Sequence, residues 1–260
     1  SSVKRYKGPV AGSFSHIALV HKLRETRALR GFTRLLPPDG DFRSPRLQPL
    51  SLDRRIDWLP ATLVRGEGIF LEFDFRRLQS WIETNRAITS RLEMLNSRYN
   101  DRRQAQAQPH RLITPHFVLL HTFAHVVINQ LSYECGYGSA SLRERIYCDV
   151  SDPTNPMCGL LIYTASSDSE GSMGGLVRQG KAGMFENVVA RAIQKAMWCS
   201  SDPVCIESDG QGPDSCNLSA CHSCCLLPET SCEEGNRLLD RALLVGLPGC
   251  PEIGFFSNDS

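Results

Sequence analysis

The residues best placed to do chemistry are thiols. Seven of the chain's 11 cysteines fall between Cys199 and Cys232, spaced Cys199-x5-Cys205-x10-Cys216-x4-Cys221-x2-Cys224-Cys225-x6-Cys232. A zinc ion takes four thiolate or imidazole ligands in a tetrahedron, and two intervening residues let a pair of sulfurs reach one ion from a tight turn. Cys221-His222-Ser223-Cys224 has that spacing. Cys199 and Cys205 are the natural second pair, because Ser200-Ser201-Asp202-Pro203 between them forms a turn; Cys216 and Cys232 stand as substitutes. Four protein ligands fill the coordination shell, so such a site fixes a fold and does not activate water. A redox role for the Cys-x-x-Cys pair is the rival, but no βαβ pattern accompanies it.

His121 and His125 stand one helical turn apart in HTFAH, a spacing by which two imidazoles can share a metal. The glutamate of the HExxH peptidase signature is missing, so the preferred reading is core packing with satisfied ring nitrogens. The alternative is a metal-dependent hydrolase or nuclease that adds Glu134 or Asp168 to the pair. Ser166 to Gly175 form a Ser/Gly-rich loop after an apolar segment, where phosphate-cradling loops occur. The GxxxxGK[ST] pattern is absent and two acidic residues oppose phosphate, so a structural or partner-contact loop is preferred. Neither a nucleophile elbow nor a helicase motor motif is present.

The elements that must position these residues follow from periodicity. HIALVHKLRETRALRGFTRL is compatible with strand or helix, and the Pro37, Pro38, Pro45 and Pro49 region is a loop. Residues 68–74 alternate as a strand, and apolar spacing predicts one helix over 75–98. The polar run RYNDRRQAQAQPH is a candidate linker. Thr114-Pro115 starts a helix that stops near Gly136. ASLRERIYCDV and CGLLIYTA are strands of a hairpin, and Phe185 to Met197 repeat at helical spacing, delivering Cys199 to the helix end. Thr230 and Ser231 precede Glu233 and Glu234 at capping-box spacing, which predicts a last helix through LLDRALLVG.

A hydrophobic content of 41% and a charged content of 22% fit a globular protein able to bury a core. No run approaches the roughly 20 apolar residues of a membrane span, and the opening SSVKRYKGPV lacks a secretory apolar segment, so a cytoplasmic location is expected. Ser1 stands where Met would begin a chain, which suggests a longer upstream region. The net charge of +1 hides an asymmetry: residues 1–111 carry 21 Lys+Arg against 11 Asp+Glu, and residues 112–260 carry 8 against 17. The basic half suits a phosphate backbone or an acidic partner; a solvated, arginine-rich surface, or pairing between the halves, explains the pattern equally well.

Several stretches together resemble the DrmB family of DISARM phage-defence systems: HTFAHVVINQLSYECGYGSASLRERIYC, GLLIYTASSDSEGSMGGLV, WCSSDPVC, ACHSCCLLPETSCE and NRLLDRALLVG. HKLRETRALRGFTRL and GEGIFLEFD do so upstream. These proteins share a helicase-associated domain related to the zinc-binding C-terminal region of MrfA-type helicases. The resemblance implies a non-catalytic, DNA-binding subunit of a heterodimeric complex with a superfamily-two DNA helicase, DrmA. No membrane and no small-molecule substrate is implied. The expectation is an α+β fold, helices packed on a small antiparallel sheet, with a cysteine-rich zinc-binding C-terminal subdomain. Residues 1–111 form its basic N-terminal region and 112–260 the helicase-associated domain. The expected zinc ligands are Cys199, Cys205, Cys221 and Cys224.

Overall fold

The computed structural model describes residues 3–33, 47–51, 57–164 and 175–257. The Ser/Gly loop before Gly175, with Asp168, and Pro37, Pro38 and Pro45 lie outside the described residues. The architecture is the expected α+β one. Four antiparallel strands form a sheet in the order β1-β4-β6-β5, made of β1 (Phe14–Ala28), β4 (Ala61–Phe73), β5 (Leu142–Asp149) and β6 (Met157–Thr164). Two-residue strands β2 (Gly31–Phe32) and β3 (Gln48–Pro49) pair separately. The helices are α1 (Pro9–Ser13), α2 (Phe75–Thr84), α3 (Arg86–Ala105), α4 (Pro115–Cys135), α5 (Gly175–Gln179), α6 (Phe185–Ala196) and α7 (Ala242–Val245).

The β5–β6 hairpin forms as expected, with Cys148 opposite Cys158, and the ambiguous opening segment is strand β1. Strands from both sides of residue 111 thus share one sheet. α4 is its central prop. Thr114 accepts a hydrogen bond from the Phe117 N–H, Pro115 occupies the first turn, and Gly136 ends the helix at φ 69°, a left-handed backbone that glycine adopts without strain. α4 is buried around most of its circumference, packed against α6, β5 and β6. A helix clad on all sides needs no polar face.

Three expectations are corrected. The helix over 75–98 is two helices, because Asn85 leaves the helical region at φ −123° and its side-chain amide donates to the Trp81 carbonyl. The linker is mostly helix: α3 runs on to Ala105. The amides of Asn96 and Asn100 bond the backbone of Ile113 and Arg111 in both directions, tying the following segment to the helix. The last helix shrinks to α7, because Leu238 and Leu239 spend their backbone groups pairing with Cys216 and Leu218. Tertiary pairing overrides a local capping signal there.

Candidate metal centre

The four expected ligands are brought together. Asp202 builds the first pair's turn: one carboxylate oxygen accepts from the Cys199 N–H at 2.8 Å, and the other from the Ile206 N–H at 3.0 Å and from Arg241 Nη2 at 2.6 Å. Both ends of the 199–206 loop are therefore tied to one side chain. The second pair sits on a tight turn, in which the Cys224 and Cys225 N–H groups donate to the Cys221 carbonyl. Their sulfurs converge. Cys199 Sγ lies 3.5 Å from Cys221 Sγ, and Cys224 Sγ lies 3.8 Å from both Cys205 Sγ and Cys221 Sγ.

These separations fit a tetrahedral zinc, whose bonds to sulfur near 2.3 Å imply sulfur–sulfur edges of about 3.8 Å. Backbone N–H groups of Ser201 and Cys221 point at the sulfurs of Cys199 and Cys224, and Gln211 Nε2 at that of Cys205, the environment an anionic sulfur needs. In the protein alone, burial pushes the Cys199 thiol up, and the Cys224 sulfur pushes the Cys205 thiol up, so full ionisation of the cluster calls for a cation. Four thiolates around Zn2+ leave net negative charge. The guanidinium of Arg241, fully buried, offsets it: burial opposes its charge, while Asp202 and the sulfurs of Cys224 and Cys205 outweigh that penalty.

The substitute ligands are elsewhere. Cys216 is buried in the core with its thiol directed at the Asp214 carbonyl. Cys232 belongs to a second group with His121, His125 and Glu144, one ligand atom of each lying within 4.8 Å of the others. His121 Nε2 is 2.9 Å from Glu144 Oε1 and 3.2 Å from Cys232 Sγ, and His125 Nε2 is 3.5 Å from Glu144 Oε1. All four are buried. Burial would raise the Glu144 carboxyl, but the two imidazoles hold it below the ordinary carboxylate range. Satisfied core histidines are therefore only half the picture, since His125 Nε2 and both Glu144 oxygens have no hydrogen-bond partner of acceptable geometry.

Glu134, offered as the acidic neighbour of the histidines, instead accepts from Arg191 and Gln130. Glu144 and Cys232 were missed as partners because they lie on a strand and a distant loop. The inward position of Glu144 in the alternation of β5 was the only signal. The paired charges of the two halves are real in part: Arg91 binds Asp240, Arg102 binds Asp214 and Arg111 binds Glu234. Among the described residues, no helix is long and apolar enough to cross a membrane.

Comparison with known proteins agrees with this geometry. Residues 123–225 match the family model of the MrfA Zn-binding domain, a span that contains all four converging cysteines. The chain thus carries a zinc-binding domain of that class, and zinc is the cofactor on which donor set and family agree. More particularly, it is 40% identical over 236 residues to the DISARM protein DrmB of Bacillus paralicheniformis, across 89% of this chain and 41% of that protein. The resemblance to the DrmB family is borne out over most of the chain, which spans about two fifths of that relative's length.

Proposed function

We propose that this chain is a non-catalytic accessory subunit of a DNA helicase complex in bacterial anti-phage defence, in which Cys199, Cys205, Cys221 and Cys224 hold a structural zinc. The observation that carries the reading is the 40% identity to a DISARM protein across 89% of the chain. Four sulfurs around one point support a closed site that organises a surface and leaves no position for substrate. The partner in this reading is a superfamily-two helicase of the DrmA kind, and the compartment is the cytoplasm.

A feature of the sheet supports a nucleic-acid contact. The pairing of β4 with β6 covers Gly68 to Glu72, whereas β1 pairs with β4 as far as Ala28 and Ala61. Beyond the sheet the two strands run on as a ribbon, where Arg24 and Arg65, both exposed, stand directly opposite each other. Like charges in that position destabilise a strand pair, and an anionic partner reverses the sign. Exposed Lys22 and Leu63 lie on the same two strands, and exposed Trp58 lies just before β4.

Co-expression with a candidate helicase, followed by DNA affinity measured against salt, tests the reading. Stoichiometric co-elution is expected, and Arg24→Glu and Arg65→Glu each reduce the salt slope by about 1. Cys221→Ser removes one equivalent of zinc. Failure to co-elute with the helicase, together with an unchanged salt slope in both arginine variants, would overturn it.

A further inference from the structure

The buried group formed by His121, His125, Glu144 and Cys232 draws on three separate parts of the fold. Two ligand atoms come from adjacent turns of α4, one from β5, and one from the loop after the turn Glu229–Ser231. Two of the four residues, His121 and Cys232, fall outside the span matched by the zinc-binding family model. We propose that these four side chains hold a second zinc ion, in a closed structural site separate from the four-sulfur one.

The ring orientations are the first ground. His121 Nδ1 lies 3.3 Å from the Leu238 carbonyl and His125 Nδ1 lies 2.8 Å from the Cys225 carbonyl. A carbonyl only accepts, so each Nδ1 carries its proton, and in the neutral imidazole the lone pair is left on Nε2. Both Nε2 atoms face the common point. A backbone carbonyl gripping the far ring nitrogen is the arrangement that orients a metal-bound histidine.

The second ground is what remains unpaired. Glu144 is 2% exposed and His125 is fully buried, yet neither Glu144 oxygen nor His125 Nε2 has a hydrogen-bond partner of acceptable geometry. Buried polar atoms of that kind are costly, and a bound cation is one of the few ways to satisfy three at once. The sulfur is prepared too: the Asn236 N–H donates to Cys232 Sγ at 3.2 Å.

Size, charge and softness then select the ion. The nitrogen–oxygen contacts of 2.9 and 3.5 Å bracket the edge of about 3.3 Å in a tetrahedron of zinc–nitrogen and zinc–oxygen bonds, and the nitrogen–sulfur contact of 3.2 Å lies within a few tenths of an ångström of the edge of about 3.5 Å that a zinc–sulfur bond gives. One carboxylate and one thiolate balance Zn2+, so with two neutral imidazoles the assembly adds no net charge to the core. Mixed nitrogen, oxygen and sulfur donors in fourfold number suit zinc, while magnesium and calcium want more oxygens and no thiolate. With four protein ligands the ion has no open position. Its effect is to staple the loop around Cys232 to α4 and β5.

Zinc content and X-ray absorption of the purified, zinc-replete full chain provide the test. Two equivalents of zinc are expected, with an average shell of about 2.5 sulfur and 1.5 nitrogen or oxygen donors per zinc. Glu144→Gln and Cys232→Ser each lose one equivalent and leave an all-sulfur shell. Should those variants not fold, the wild-type shell decides alone. One equivalent with an all-sulfur shell overturns the second site. So does nitrogen NMR showing both imidazoles doubly protonated in the zinc-replete protein, since the group would then be a metal-free ion-paired cluster. A single zinc in a mixed shell would instead retain this site and refute the four-cysteine one.

Discussion

His116 offers a quantitative test of how the start of α4 is built. It occupies the helix's first turn, is 5% exposed, stacks on Phe75 with the rings 18° from parallel, and neither ring nitrogen has a hydrogen-bond partner. Burial lowers its pKa from 6.5 to about 4, and its place at the positive end of a helix dipole acts in the same direction. In the unfolded chain the imidazole takes up a proton near pH 6.5, and in the folded chain not until about pH 4. Between those values the unfolded state binds more protons, so stability rises with pH. The contribution is complete above pH 6.5 and is lost on acidification, by about 2 kcal/mol at pH 5 and about 3 kcal/mol at pH 4. Replacing the group with a non-titrating ring, His116→Phe, removes this loss. Urea denaturation of both proteins at pH 7.5, 6 and 5 should show the variant gaining about 2 kcal/mol on the wild type across the series. Any packing cost of phenylalanine is present at every pH and drops out of the slope. Parallel pH curves for the two proteins would refute the assignment of a neutral, desolvated imidazole.

Two further stability predictions follow from buried or capping contacts. Asp240 is fully buried, and its two oxygens accept from Arg91 Nε at 2.8 Å and Nη2 at 3.0 Å, so Asp240→Ala strands a mostly buried guanidinium and should cost about 3–5 kcal/mol in denaturant unfolding. Thr114→Ala deletes the cap of α4 and should cost about 1 kcal/mol with the denaturant slope unchanged; a change below a few tenths would show that Pro115 alone fixes the helix start.

The parts of the fold legible in the sequence were those set by local chemistry. Thr114, Pro115 and Gly136 announce both ends of α4, and the spacing of Cys221 and Cys224 announces a turn that brings two sulfurs together. What escaped depends on distant partners. The helical continuation to Ala105 has no apolar stripe to reveal it, because Asn96, Asn100 and Arg102 stabilise it through bonds to Ile113, Arg111 and Asp214. Likewise HTFAH reads as core packing until β5 brings Glu144 against it and the extended backbone at Cys232, φ −114°, turns that sulfur inward. The capping signal at Thr230 and Ser231 failed for the same reason, since a single 3-10 turn there serves to aim the next residue.

These contacts also show which arginines of α3 and the segment after it are engaged inside the molecule. Much of the excess positive charge on α3 and the segment after it is spent inside the molecule, on Asp240, Asp214 and Glu234 of the irregular C-terminal stretch. The Arg102 and Arg111 pairs are partly exposed and contribute little each, so they cannot by themselves hold a segment from Cys199 to Arg241 that has almost no regular secondary structure. The buried Arg91–Asp240 pair and the Asp202 side chain, bonded to Cys199, Ile206 and Arg241, contribute what periodic hydrogen bonding does not. Arg24 and Arg65 stand apart from this arrangement, directly opposed across an exposed ribbon. In the proposed reading the ribbon supplies charge for a phosphate backbone, and reversing Arg91, whose partner Asp240 is fully buried, should impair folding before it impairs DNA affinity.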